Sequence, residues 1–185
     1  MSEPRKREAH APKAGVKIHP VVKYPEPVLA RVAEPVTEFG PELEKLVEEM
    51  FESMYVAEGI GLAAPQIAIP KQIAVVDISF KSRPEDKLVL INPEIIEREG
   101  KATEEEGCLS LPDIREKVQR PEWVKVRAQN AKGEFFEIEG DDLLARAMQH
   151  EIDHLNGILF IDHLSRLKRD LVLRRIKKLQ RNGEW

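Results

Sequence analysis

The segment Gln149-His150-Glu151-Ile152-Asp153-His154 sets two imidazoles four residues apart, with a carboxylate next to the first. On an α-helix, side chains at i and i+4 stack on one face, so both rings can grip one metal ion. Glu151 points about a third of a turn away, because a helix has roughly 3.6 residues per turn. It can therefore reach a water on the ion without ligating the ion itself. These residue types at this spacing are the equipment of metal-assisted hydrolysis.

A hydrolytic metal usually takes three protein ligands and keeps one position open, so the third ligand decides the chemistry. His163 lies nine residues beyond His154, without the glycine-turn pattern of the metzincins. Asp162, Asp170 and Glu184 also follow, and none stands out. Cys108, in Glu106-Gly107-Cys108-Leu109-Ser110, is the better candidate, since a thiolate binds zinc or iron more strongly than a carboxylate. Taken alone, one cysteine is more often inert core filler. A third segment, Gly59-Ile60-Gly61-Leu62-Ala63-Ala64-Pro65-Gln66, is small enough for something to approach its backbone closely. Taken in isolation, it is more often a tight turn leaving the first helix.

The elements that must position these residues follow from periodicity. Pro41 suits a first helical turn, and Leu43, Leu46, Val47, Met50, Phe51, Met54 and Tyr55 recur at helical spacing until Gly59. Val16–Val22 reads as a first extended segment. Ile73–Ile78, Leu88–Ile91 and Ile95-Ile96 read as strands. Val124, Val126 and Ala128 alternate with polar residues, and a turn at Asn130-Ala131-Lys132-Gly133 leads into a hairpin partner at Phe135–Ile138. The His150 helix begins at Asp141 or Asp142 and stops at Asn156-Gly157. Met148, Ile152 and Leu155 face its opposite side and are assigned to the core. A last helix spans about residues 165–181. The fold class expected is α+β, with antiparallel or mixed strands packed around a central metal-binding helix and a helix toward each end.

The chain has 185 residues, 42% hydrophobic and 34% charged, with net charge −4. That composition predicts a single catalytic domain over residues 16–185, preceded by a flexible polar tail at 1–15. The net charge argues against nucleic-acid binding by the whole surface. No segment approaches the roughly 18–20 apolar residues of a membrane span, and no apolar leader is evident. One cysteine suits a reducing compartment, so a cytoplasmic location is expected.

In this order, the three segments resemble the motifs of the peptide deformylase family: Gly-x-Gly-Leu-Ala-Ala-x-Gln, Glu-Gly-Cys-Leu-Ser and His-Glu-x-x-His. Every fixed position matches: Gly59, Gly61, Leu62, Ala63, Ala64 and Gln66; Glu106 to Ser110; His150, Glu151 and His154. The similarity runs from about Val16 to Arg181 and does not cover the residues before it. It implies removal of the N-formyl group from the initiator methionine of nascent polypeptides. It also implies one divalent metal held by Cys108, His150 and His154, with Fe2+ native to the family and Zn2+, Ni2+ or Co2+ able to replace it.

On that resemblance, Glu151 serves as general base, while the Leu109 backbone N–H and the Gln66 amide meet the developing oxyanion. An extended peptide would pair beside Ile60-Gly61-Leu62, with Gly61 leaving room. Leu143 and Ala147, on the His150 side of the helix, join Ile60 around the methionine side chain. Arg146 contacts substrate carbonyls or pairs with an acid such as Glu106, and Glu106 holds the Cys108 loop. The last helix carries Arg166, Lys168, Arg169, Arg174, Arg175, Lys177, Lys178 and Arg181, a density that suggests a polyanionic partner. In bacterial relatives this helix is associated with the ribosome near the nascent-chain exit, and the same is expected here, on a monomer. A zinc peptidase with the His-Glu-x-x-His motif, which needs no Cys108, is the rival enzyme. A closed metal site that only braces the fold is the non-enzymatic rival.

Overall fold

The computed structural model describes residues 9–185. Helix α1 (Pro41–Val56) starts on a proline whose missing N–H costs nothing in a first turn, with Glu42 and Glu44 favourably placed there. It ends before Gly59: Glu58, not the glycine, takes the left-handed conformation at φ 61°. The Gly59 N–H then donates to the Met54 carbonyl at 2.9 Å.

Strands β1 (Gly61–Ala63) and β2 (Ile73–Val76) follow. Next come β3 (Leu88–Glu99), β4 (Ala102–Cys108), β5 (Leu111–Arg120), β6 (Trp123–Gln129) and β7 (Phe135–Asp141). β3 runs through Pro93, which cannot donate to a ladder, and its register against β6 shifts between Ile91 and Glu94. Five strands form one antiparallel sheet in the order β1-β2-β3-β6-β7; β4 and β5 form a separate hairpin. That hairpin was not expected from the sequence. The expected extended segment at Val16–Val22 is no ladder strand; Val22 N–H donates to the Gln66 carbonyl and Tyr24 N–H to the Ser110 carbonyl.

Helices α2 (Asp142–Leu155) and α3 (Arg166–Arg181) complete the fold. Asp141 sits at the N-cap of α2, but its side chain makes no capping bond. Three cores meet around α2. α1 packs Val47, Met50 and Met54 on Leu62, Ile73 and Val75. α2 packs Ala145, Met148, Ile152 and Leu155 on Val124 and Val126. The β4–β5 hairpin packs Leu111, Ile114 and Val118 on Phe160, Ile161, Val172 and Ile176. The sequence places Met148, Ile152 and Leu155 in the core, and so does the structure.

Residues 1–8 of the expected tail lie outside the described residues. His10 and Lys13, expected to be mobile, instead dock on α1: His10 Nε2 lies 2.7 Å from Glu52 Oε2, and Lys13 N–H donates to the same carboxylate at 3.0 Å. The reason is on α1 itself, where Glu52 is only 1% exposed and a buried carboxylate requires donors. No helix of the described residues is long and apolar enough to cross a membrane.

Candidate metal centre

Helix α2 projects His150 and His154 from one face, as the i, i+4 spacing dictates, and their Nε2 atoms stand 3.2 Å apart. The β4–β5 hairpin brings the third group. A register shift between Gly107 and Cys108 kinks β4 at its end, and Cys108 Sγ comes to 3.3 Å from His154 Nε2. Among the described residues these three form a set whose donor atoms all lie within 4.8 Å of one another. His163 is not in it; its Nε2 lies 2.7 Å from Asp153 Oδ2.

The donor set fits a divalent cation. Tetrahedral ligation, with metal–nitrogen bonds of about 2.0–2.1 Å and metal–sulfur bonds of about 2.3 Å, separates donor atoms by roughly 3.4–3.6 Å. Burial disfavours charge on both imidazoles, yet the Cys108 sulfur and the Glu106 carboxylate raise the His150 pKa well above its ordinary value. Burial, with His150 and Arg120 nearby, pushes His154 well below.

Glu151 points from the same turn toward β1. It is 4% exposed, and its Oε2 has no hydrogen-bond partner among the described residues. Burial pushes its pKa up to about 7. Its neighbour is Gly61: a methyl group there would stand 2.9 Å from Glu151 Cδ, so only glycine fits without displacing the carboxylate. Gln66, in the 3-10 turn after β1, uses both ends of its amide. Oε1 accepts from Ala63 N–H at 3.0 Å, and Nε2 donates toward Ser110 Oγ at 3.2 Å and Cys108 Sγ at 3.6 Å. The donor end of Gln66 thus faces Cys108.

Gly61, Gln66, Cys108, His150 and Glu151 line a cleft of about 800 Å³. Its wall includes Ile60, Gly61, Leu109, Leu143 and Ala147, together with Cys108, His150 and Glu151. β1 is an edge strand of the sheet, so one side of its backbone is free of ladder bonds. Of the two roles open to Arg146, the bonding favours bracing: Nη1 donates to the Val118 carbonyl and Nη2 to the Ala102 carbonyl, both at 3.0 Å. Glu106 lies 3.4 Å from His150 Nδ1, so it faces the imidazole as well as the loop of Cys108. The sequence reading missed Arg120, which pairs with both Glu106 and Asp153 behind the site, and it missed Asp153 itself. Asp153 was detectable in principle, three residues after His150 and so on its face of the helix.

A family model described as polypeptide deformylase matches residues 18–170. A peptide deformylase of Acidobacterium capsulatum is 69% identical over 168 residues, covering 91% of this chain and 99% of that protein. The crystal structure of a peptide deformylase from Legionella pneumophila superposes with a TM-score of 0.84 at 42% identity, over 90% of this chain and 98% of the other. One from Synechococcus elongatus, solved in complex with actinonin, gives 0.82 at 38% identity, over 90% and 91%.

Proposed function

Because the chain belongs to the peptide deformylase family, which removes the formyl group from nascent polypeptides, we propose that Cys108, His150 and His154 hold the hydrolytic cation and Glu151 carries the proton. The observation that carries this reading is the convergence of one sulfur and two imidazole nitrogens beside a buried carboxylate oxygen without a partner. A divalent cation on these donors supplies Lewis-acid polarisation of the formyl oxygen and lowers the pKa of water. We assign Fe2+ as the resident ion, with Zn2+, Ni2+ or Co2+ able to occupy the same donors.

The chain's own residues divide the remaining work. Glu151, with a pKa near neutrality, takes a proton from the attacking water at Oε2 and returns it to the departing amine. The Gln66 amide and the Leu109 N–H stabilise the negative charge that gathers on the formyl oxygen. The nascent chain adds as an extended strand along the free edge of β1, with Gly61 keeping Glu151 accessible. Ile60, Leu143 and Ala147 receive the methionine side chain. The same cleft is expected to take actinonin, the compound with which the Synechococcus relative was solved. The basic face of α3 is assigned to the ribosome near the nascent-chain exit; removing residues after His163 should then reduce co-sedimentation with ribosomes at low salt. The enzyme acts as a monomer, in the cytoplasm.

The zinc-peptidase alternative is not favoured, because the similar proteins are deformylases. A site that only braces the fold would have no use for an unpartnered carboxylate. The test is formate release from formyl-Met-Ala-Ser. Cys108→Ser should lose the cation and formate release together; a variant that keeps its cation and cuts internal peptide bonds would overturn the reading.

A further inference from the structure

Arg120, at the end of β5, is 4% exposed although it carries a full charge. Its Nε donates to Glu106 Oε1 at 2.8 Å and to Oε2 at 3.1 Å. Its Nη1 donates to Asp153 Oδ2 at 2.8 Å. Glu106 Oε1 in turn lies 3.4 Å from His150 Nδ1. Asp153 follows His150 by three residues on α2, so the path returns to its starting point: His150, Glu106, Arg120, Asp153 and one turn of helix. On the outer side His163 Nε2 lies 2.7 Å from Asp153 Oδ2.

Fold stability alone does not explain this ring. Buried ion pairs are often no better than apolar side chains of similar volume, because desolvation offsets their attraction. What a closed ring supplies is position. A proton on His150 Nδ1 facing Glu106 would leave the lone pair on Nε2, and the carboxylate would resist rotation of the ring about χ2. Glu106 itself belongs to β4 and would move with the hairpin. Arg120 ties that carboxylate to the helix that bears His150, through a planar fork that a lysine does not have.

We propose that Arg120 is a positioning residue: by joining Glu106 to Asp153 it holds the His150 imidazole at the angle the metal donor set requires. The inference rests on the deformylase reading only for the identity of the reaction that the cation serves.

The experiment uses the full-length protein loaded with Co2+, whose ligand-field absorption reports coordination geometry, and a chelator challenge that reports the dissociation rate. Arg120→Met keeps the aliphatic stem and removes the donors; Asp153→Asn cuts the same ring from the other side and keeps its shape. Each should shift the Co2+ spectrum and speed dissociation about 10–100-fold. The double variant should be no worse than the worse single, because both break one circuit. Arg120→Lys, which keeps the charge without the fork, should fall between wild type and Arg120→Met. A wild-type spectrum with dissociation within about twofold of wild type, in both folded variants, overturns the proposal, since second-sphere losses are an order of magnitude larger. Should Arg120→Met fail to fold, Asp153→Asn decides on the same two readouts. Neither readout uses turnover, so absence of formate from formyl-Met-Ala-Ser would sink the proposed reaction while leaving the ring to be judged separately.

Discussion

Helices α2 and α3 are of similar length, 14 and 16 residues, and both are amphipathic, yet they are built for different ends. α3 buries Val172 and Ile176 and leaves Leu167 and Leu171 at 71% and 54% exposure. α2 buries Ala145, Met148, Ile152 and Leu155, and with them Arg146, Gln149, Glu151 and His154. Most of those buried polar groups have protein partners: Arg146 holds two carbonyls of the hairpin, and Gln149 Nε2 donates to the Pro121 and Ala145 carbonyls. Oε2 of Glu151 and Nδ1 of His154 do not. α2 is thus distinguished by the polar atoms that its surroundings leave unsatisfied, not by the strength of its apolar stripe.

The contrast can be broken by substitution. Met148→Ala, fully buried in α2, should cost about 2–5 kcal/mol of stability, read as a fall in Tm. Gln66→Glu keeps the acceptor for Ala63 N–H but removes the amide donors facing Cys108; kcat should drop about 10²–10³-fold, or about 2.7–4 kcal/mol of barrier. Chelation should lower stability by about 2.7 kcal/mol from the value at cation concentrations near 100 times Kd, with the loss reversed on reloading. Leu171→Ala on α3 should stay within about 0.5 kcal/mol of wild type by the same melting measurement. Equal losses at Met148 and Leu171 would remove the distinction between the two helices.

What the sequence revealed follows the range of the interactions. The paired histidines were legible because i, i+4 geometry is local. The β6–β7 hairpin was legible because Val124, Val126 and Ala128 alternate and Asn130 Oδ1 accepts from Lys132 N–H and Glu134 N–H to shape the turn. The β4–β5 hairpin was hidden, since Glu104-Glu105-Glu106 has poor strand propensity and is held by its partner strand, whose Leu111, Ile114 and Val118 enter a core shared with α3. Cys108 was picked out by its motif, but how it reaches the histidines depends on that hairpin. Arg120 escaped notice for the same reason: its partners lie 14 and 33 residues away, on β4 and on α2. His10 looked like part of a charged tail because the buried Glu52 that receives it is 42 residues further along.

The central claim is that Glu151 moves protons beside a cation held by Cys108, His150 and His154. Glu151→Gln, assayed together for bound metal and for formate release from formyl-Met-Ala-Ser, tests it most directly. The account predicts one equivalent of cation retained with kcat reduced about 10²–10⁴-fold. Loss of the cation, or turnover close to wild type, would contradict it.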